Sequence, residues 1–360
     1  MSNQRAGSYA VMEGNGEYNK HAKLQAGGAS LAVPFLEKAI QNITLDSSNS
    51  PIVIADYGSS QGKNSLIPMR CAVRSLRKRV GPDRALSVFH IDQPSNDFNS
   101  LFRVVHEDPD TYTLNDPKIY PAAVGRSFYE KVLPPESVDL GWSAYALMWL
   151  SRRPTLIPDH FIPFCSKSEA RNEFDLQAAK DWEAFLTLRA SELRPGGRLM
   201  VVLPGIAEDG SVGLEPLFHH ANAVLEEMVT AGVITSTERS QMTLMNHLRA
   251  ERDLLSPFRR DGEFSGLVVE ECHRRVLLDS AWQDYERSGD EQALAASRVF
   301  FFRTAFLPSF ACALNQGSTK NGETVHRFAD QLERRLKHRL ALQPVPMHTL
   351  VQIIVFAKPT

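Results

Sequence analysis

With 360 residues, 43% hydrophobic and 23% charged, the chain has the balance of an ordinary globular protein and can hold a large domain with an insertion. Forty Lys and Arg against 42 Asp and Glu leave a formal charge of −2, which excludes a global electrostatic pull toward nucleic acid or an anionic membrane. Met1 to Gly16 is polar, and no run of about 18 apolar residues occurs, so a cytoplasmic protein is expected.

The predicted elements alternate. Pro51 to Asp56 is a short β-branched run and reads as a strand buried on both faces. It enters the loop Asp56-Tyr-Gly-Ser-Ser-Gln-Gly-Lys-Asn64. Ser65 to Val80, with apolar residues spaced by three and four, predicts a helix. Ala85 to Asp92 predicts a second strand, and Leu140 to Ser151 begins on another. Ala178 to Leu193 predicts a helix stopped at Pro195-Gly196, followed by a strand over Arg198 to Leu203. Strand and helix in alternation predict an α/β protein with a doubly wound sheet. Residues 205–310 read as mostly helical, with helices over Leu217 to Val233 and Ser236 to Leu255 and at least one more within Ala281 to Phe306. The expected division is an α/β core of 1–204 and 311–360 under a helical substrate cap of 205–310. His348 to Ala357 predicts a strand returning to the sheet.

Small residues in the Asp56–Asn64 loop permit a close ligand, and the following helix start offers unpaired N–H groups. Gly58 and Gly62 alone do not make a dinucleotide fingerprint, nor is this a P-loop. Asp92, at the end of the next strand, is placed to accept hydrogen bonds from ribose hydroxyls. Tyr145 and Trp149 are either core rings or, through the indole N–H, a donor to a carboxylate. Met242, Met245, Leu248, Phe301, Phe306 and Phe310 are candidate pocket walls or plain helix core. Four scattered cysteines, with no CxxC spacing, predict neither a metal site nor a disulfide framework. A nicotinamide-linked oxidoreductase shares the strand, loop and ribose acid, but the missing GxGxxG counts against it.

Four segments in order resemble the SABATH family of carboxyl and N-methyltransferases. Tyr18-Asn-Lys-His-Ala-Lys-Leu-Gln25 is similar to its SYAxNSxxQ, and Ile54 to Asn64 to its IADLGCSSGPN. Asp92-Gln-Pro-Ser-Asn-Asp-Phe-Asn-Ser-Leu-Phe102 resembles DLPGNDFNxLF, and Ser127-Phe-Tyr with Ser143 to Ser151 resembles SFYxRLFP…SSYSLxWLS. Order and spacing agree over the first 205 residues or so.

The resemblance implies a Rossmann-like methyltransferase sheet with a helical cap and S-adenosylmethionine as cofactor. It places Tyr18, Ser59, Asn64, Asp92, Gln93, Ser127, Phe128 and Tyr145 at that cofactor, with Asp56 and Gly58 shaping the loop. Gln25 and Trp149 become the donors that clamp a substrate carboxylate, with Tyr145, Met148, Met245 and Phe306 around the substrate. Ala22, Ser59 and Lys63 depart from the family's serine, cysteine and proline, and Ala22 keeps a non-catalytic cofactor-binding homologue in view. The implied reaction forms the methyl ester of a small or medium organic acid, benzoate-like or fatty. No metal is expected, and a homodimer is. A carboxylic acid of ordinary pKa, about 4–5, is ionised at neutral pH, so the transfer requires no general base.

Overall fold

Short two-sided apolar runs between amphipathic helices produce one mixed sheet in a computed structural model, which describes residues 23–314 and 322–360, with side chains from 26 to 314 and from 323 onward. The chain opens with α1 (Lys23–Leu31) and α2 (Val33–Gln41). Then come β1 (Ile52–Tyr57), α3 (Leu66–Val80), β2 (Leu86–Asp92), α4 (Phe98–Glu107), β3 (Ile119–Gly125) and β4 (Val138–Ala144). The long α5 (Ala170–Glu192) passes directly into β5 (Leu193–Ile206). Beyond it lie α6 (Glu215–Thr230), α7 (Ser236–Gln241), β6 (Arg249–Ala250), α8 (Glu251–Leu254), β7 (Glu263–Phe264) and β8 (Leu267–Leu277). The last elements are α9 (Ser280–Ser288), α10 (Glu291–Leu314), α11 (Gly322–Leu342) and β9 (Thr349–Ala357).

The sheet runs β3-β2-β1-β4-β5-β9-β8-β7, with β6 attached to β5. β1 to β5 are mutually parallel, and β9 runs antiparallel between β5 and β8. Strand order reverses beside β1, whose neighbours are β2 and β4. Such a switch point opens a crevice at the carboxyl ends of those strands.

Two-sided burial explains the continuous apolar runs. Ile52 and Ile54 pack with α2 and α3 on one face, while Ala55 and Tyr57 pack with Phe185 and Leu186 of α5 on the other. A separate core joins α6, α10 and α11 with Phe161 and Phe164, forming a helical layer beyond the sheet.

Two expectations are corrected. The stretch 205–310 is not a continuous helical insertion, because β8 belongs to the main sheet. Its sequence carries no apolar run from Glu270 to Arg275, so periodicity could not reveal it. Polar contacts hold it instead: Lys38 of α2 pairs with Glu271 at 2.5 Å, Arg198 with Glu270 at 2.8 Å, and His273 stacks on Phe35 at 4.1 Å. The helical layer draws as well on α11, past residue 310. Second, the helix expected over Ser236 to Leu255 stops at Gln241, and Met242 to Leu248 is not helical: Met242 closes the turn and Asn246 forms an isolated bridge with Trp149. All seven of those residues are buried, which one stripe of a surface helix cannot achieve.

Candidate active site

β1 ends at Tyr57, and Gly58 follows with φ +90°. A Cβ there would stand 2.2 Å from that of Ala146, so conformation and space both demand glycine. The loop is tied to β2: Gly58 N and Ser59 N donate to the Ile91 carbonyl at 2.8 and 3.1 Å. Asp92 accepts from Ser60 N and Gln93 N, each at 2.7 Å, and the Asn96 amide donates to the Ser60 carbonyl at 2.8 Å. Burial pushes the Asp92 carboxyl up to about 6, against the pull of its two backbone donors. Each of its oxygens keeps a lone pair for a further donor.

Asp56 is tied into the protein through Oδ2. It accepts from Ser65 Oγ at 2.5 Å and pairs with His90 Nδ1 at 2.9 Å, whose Nε2 meets the Tyr112 hydroxyl at 2.8 Å. It therefore shapes the loop that precedes α3. Asp56, Gly58, Ser59, Asn64 and Tyr145 line a common cavity of about 350 Å³. The Ser59 and Ser60 hydroxyls are buried in it with no partner among the described residues. Phe128 packs 3.6 Å from the Cβ position at Gly58. Ser127, two residues beyond β3, accepts from Tyr129 N at 3.2 Å. Lys63 points to Asp108 instead, at 2.6 Å.

Tyr145 is the hinge between two spaces. It holds φ +57°, uncommon for a bulky residue, and its N–H donates to the Val202 carbonyl at 2.8 Å. Its hydroxyl would lie 2.0 Å from a Cβ at Gly28, so glycine on α1 admits the ring. Gln25 sits on α1 one turn before Gly28, on the same helix face; its side chain and the whole of Tyr18 lie outside the described residues. Beyond Tyr145 opens a second cavity of about 580 Å³, lined by Met148, Trp149, Phe164, Phe218, Phe301 and Phe306 among others. Among the described residues, none that lines it is Asp, Glu, Lys, Arg or His. A wider cleft of about 1010 Å³ shares Phe301 and Thr349 with it.

Tyr145, Met148, Trp149 and Phe306 line one cavity, together with the candidate walls Leu248 and Phe301. Met245 does not. It packs with Leu150, Ile157, Phe174 and Ala178 on the far side of its segment. The reason is the bridged backbone around Asn246: successive side chains alternate, so 246 and 248 face the cavity and 245 faces away. Met242 and Phe310 are core in the helical layer. Sequence reading missed Phe164, Phe218 and Asn246 of the wall, and Asn96 of the loop. Phe164 lies in a loop without periodicity, and Asn246 was hidden by the helix assigned across it.

His160, Cys165 and His219, none of which lines either cavity, each place a ligand-type atom within 4.8 Å of the others, a proximity their spacing did not predict. Burial pushes His160 down to about 4 and the Cys165 thiol up to about 12.

A family model described as SAM dependent carboxyl methyltransferase matches residues 7–352. A methyltransferase of Fusarium sp is 26% identical over 341 residues, covering 91% of each chain. The salicylate carboxymethyltransferase of Clarkia breweri is 26% identical over 263 residues, 70% of this chain and 72% of that one. A solved loganic acid methyltransferase with SAH has a TM-score of 0.76 at 21% identity, covering 97% of this chain and 99% of that chain, a likeness of fold.

Proposed function

The chain belongs to the S-adenosylmethionine-dependent carboxyl methyltransferase family, and from that premise we propose that it esterifies a monocarboxylic acid with an apolar body, benzoate-like or fatty. Membership sets aside the nicotinamide-linked reading. One observation carries the substrate class: Tyr145 lines both the polar cleft and a cavity whose wall carries no charge.

The cleft residues fit a compact nucleoside joined to an amino acid. Gly58 leaves no room for a side chain, two buried hydroxyls lack partners among the described residues, and Asp92 retains accepting capacity for a ribose. We assign Tyr18, Ser59, Asn64, Asp92, Gln93, Ser127, Phe128 and Tyr145 to holding it. When bound, the cofactor supplies an electrophilic methyl on a sulfonium. The protein's part is placement. Trp149, with Gln25 from α1, orients one carboxylate oxygen and leaves the other to attack in line; such positioning contributes several kcal/mol, roughly 7–11 in the best cases. An apolar wall strips water from the carboxylate and discourages a second charged group. The proposed mechanism uses no metal ion, and the homodimer expected from the resemblance remains part of this reading.

A panel of benzoates, fatty acids, dicarboxylic acids and xanthines, assayed with labelled cofactor, tests the assignment. Ester formation on monoacids is expected. Turnover confined to xanthines or other nitrogen nucleophiles overturns it.

A further inference from the structure

Asn246 lies in the segment that runs beside Met148 to Leu150, its backbone opposite Trp149 in an isolated bridge. Leu150 N donates to the Met245 carbonyl and His247 N to the Met148 carbonyl, both at 2.8 Å, so its position is fixed on both sides. The alternation that sends Met245 away turns Asn246 into the apolar cavity. The residue is 1% exposed, and neither Nδ2 nor Oδ1 has a partner among the described residues. A buried amide left unpaired among Phe, Met and Leu opposes folding, where an apolar side chain of the same size would favour it. Such a group is explained if what it recognises is not part of the chain.

Resting on the carboxyl methyltransferase reading, we propose that Asn246 is a second recognition point for the acid, hydrogen-bonding a neutral hydroxyl or carbonyl oxygen on its body, apart from the carboxylate that is methylated. The substrate class then narrows to hydroxy- or oxo-substituted monocarboxylic acids. A neutral partner follows from the wall, which among the described residues offers no cation for a second carboxylate. An amide suits a hydroxyl best, since it can accept from it through Oδ1 and donate to it through Nδ2.

The test uses the full chain saturated with S-adenosylhomocysteine. Calorimetry compares benzoate with its ring-hydroxylated isomers, and octanoate with its hydroxy and oxo derivatives; ester formation is followed for the same pairs in a separate assay with S-adenosylmethionine in place of S-adenosylhomocysteine. Wild type should prefer an oxygenated member of a pair. Asn246→Leu should reduce that preference about 10- to 100-fold, leave the parent acid bound as well or better, and leave the thermal midpoint unchanged or raised. Asn246→Ser, smaller and still polar, should retain part of the preference and guards against a variant that fails to fold. Equal loss on both members of each pair assigns Asn246 to the carboxylate or to packing and overturns the inference. So does a preference that survives Asn246→Leu, or one absent from wild type. Failure of wild type to bind any acid overturns the carboxylate reading itself, a distinct result.

Discussion

The polar cleft draws most of its walls from one stretch of chain, Asp56 to Ser65, held by backbone donors on the Asp92 carboxylate and the Ile91 carbonyl. The apolar cavity beside it is assembled from pieces scattered between Tyr145 and Thr349, and it is shaped by side chains. The first therefore depends on backbone conformation and on one ionisable group, the second on volume and on a few polar atoms. Damage to the cleft should abolish cofactor binding, whereas changes in the cavity should redistribute substrates.

The sharpest break of this contrast is Gly58→Ala. A Cβ forced against Ala146 at positive φ costs on the order of 3 kcal/mol or more, so affinity for S-adenosylhomocysteine should fall at least about 100-fold. Calorimetry with the same ligand checks it, and a functional variant would mean that the loop is not the cofactor's seat. Next, Trp149→Phe keeps the ring but removes the donor. Ester formation should drop about 100-fold in kcat/KM while cofactor affinity holds; equal losses of both would merge the two regions that the geometry separates.

Asp92 sharpens the comparison through pH. Its carboxyl is raised by burial from 3.8 to about 6, and in the role proposed for it, accepting two ribose hydroxyls, it would have to be ionised. Affinity for S-adenosylhomocysteine should therefore fall as pH drops below about 6, approaching tenfold per unit. Asp92→Asn should bind about 10- to 100-fold more weakly at neutral pH and show a flat profile. The stability sign is opposite. A carboxyl with a raised folded pKa favours the fold most when protonated, so its contribution declines as pH rises from about 4 to 6. Thermal melts of the ligand-free protein across that window, with Asp92→Asn as reference, measure it.

The smallest effect belongs to the methionine that faces away from the cavity. Met245→Leu is close to volume-conserving among Leu150, Ile157 and Phe174, and should cost under about 1.5 kcal/mol with the acid preference unchanged. Phe306→Ala, in contrast, should shift turnover toward bulkier acids in a competition assay. If Met245→Leu shifts preference as strongly, the alternation along 245–248 is wrong.

Legibility followed the same division. The strands at 52–57 and 86–92, helix α3, the glycine turn and the acid at position 92 could all be read from local spacing, because two-sided burial and tight turns write themselves into consecutive residues. β8 could not, since its polar residues are satisfied by partners on α2 and β5. Met242 to Leu248 misled for a related cause: apolar residues three apart fit a helix, yet a non-helical strip buried on both sides uses every position.

By itself the sequence determined the α/β alternation, the glycine-bearing loop after β1 and the acid that ends β2, since each rests on neighbours in the chain. It also carried, through four ordered motifs, the chemistry of the family. Tertiary structure alone decided that Tyr145 joins two cavities, that Met245 faces away and that Asn246 faces in. Those facts depend on which way a side chain points across contacts between distant segments, and neither composition nor periodicity encodes that direction.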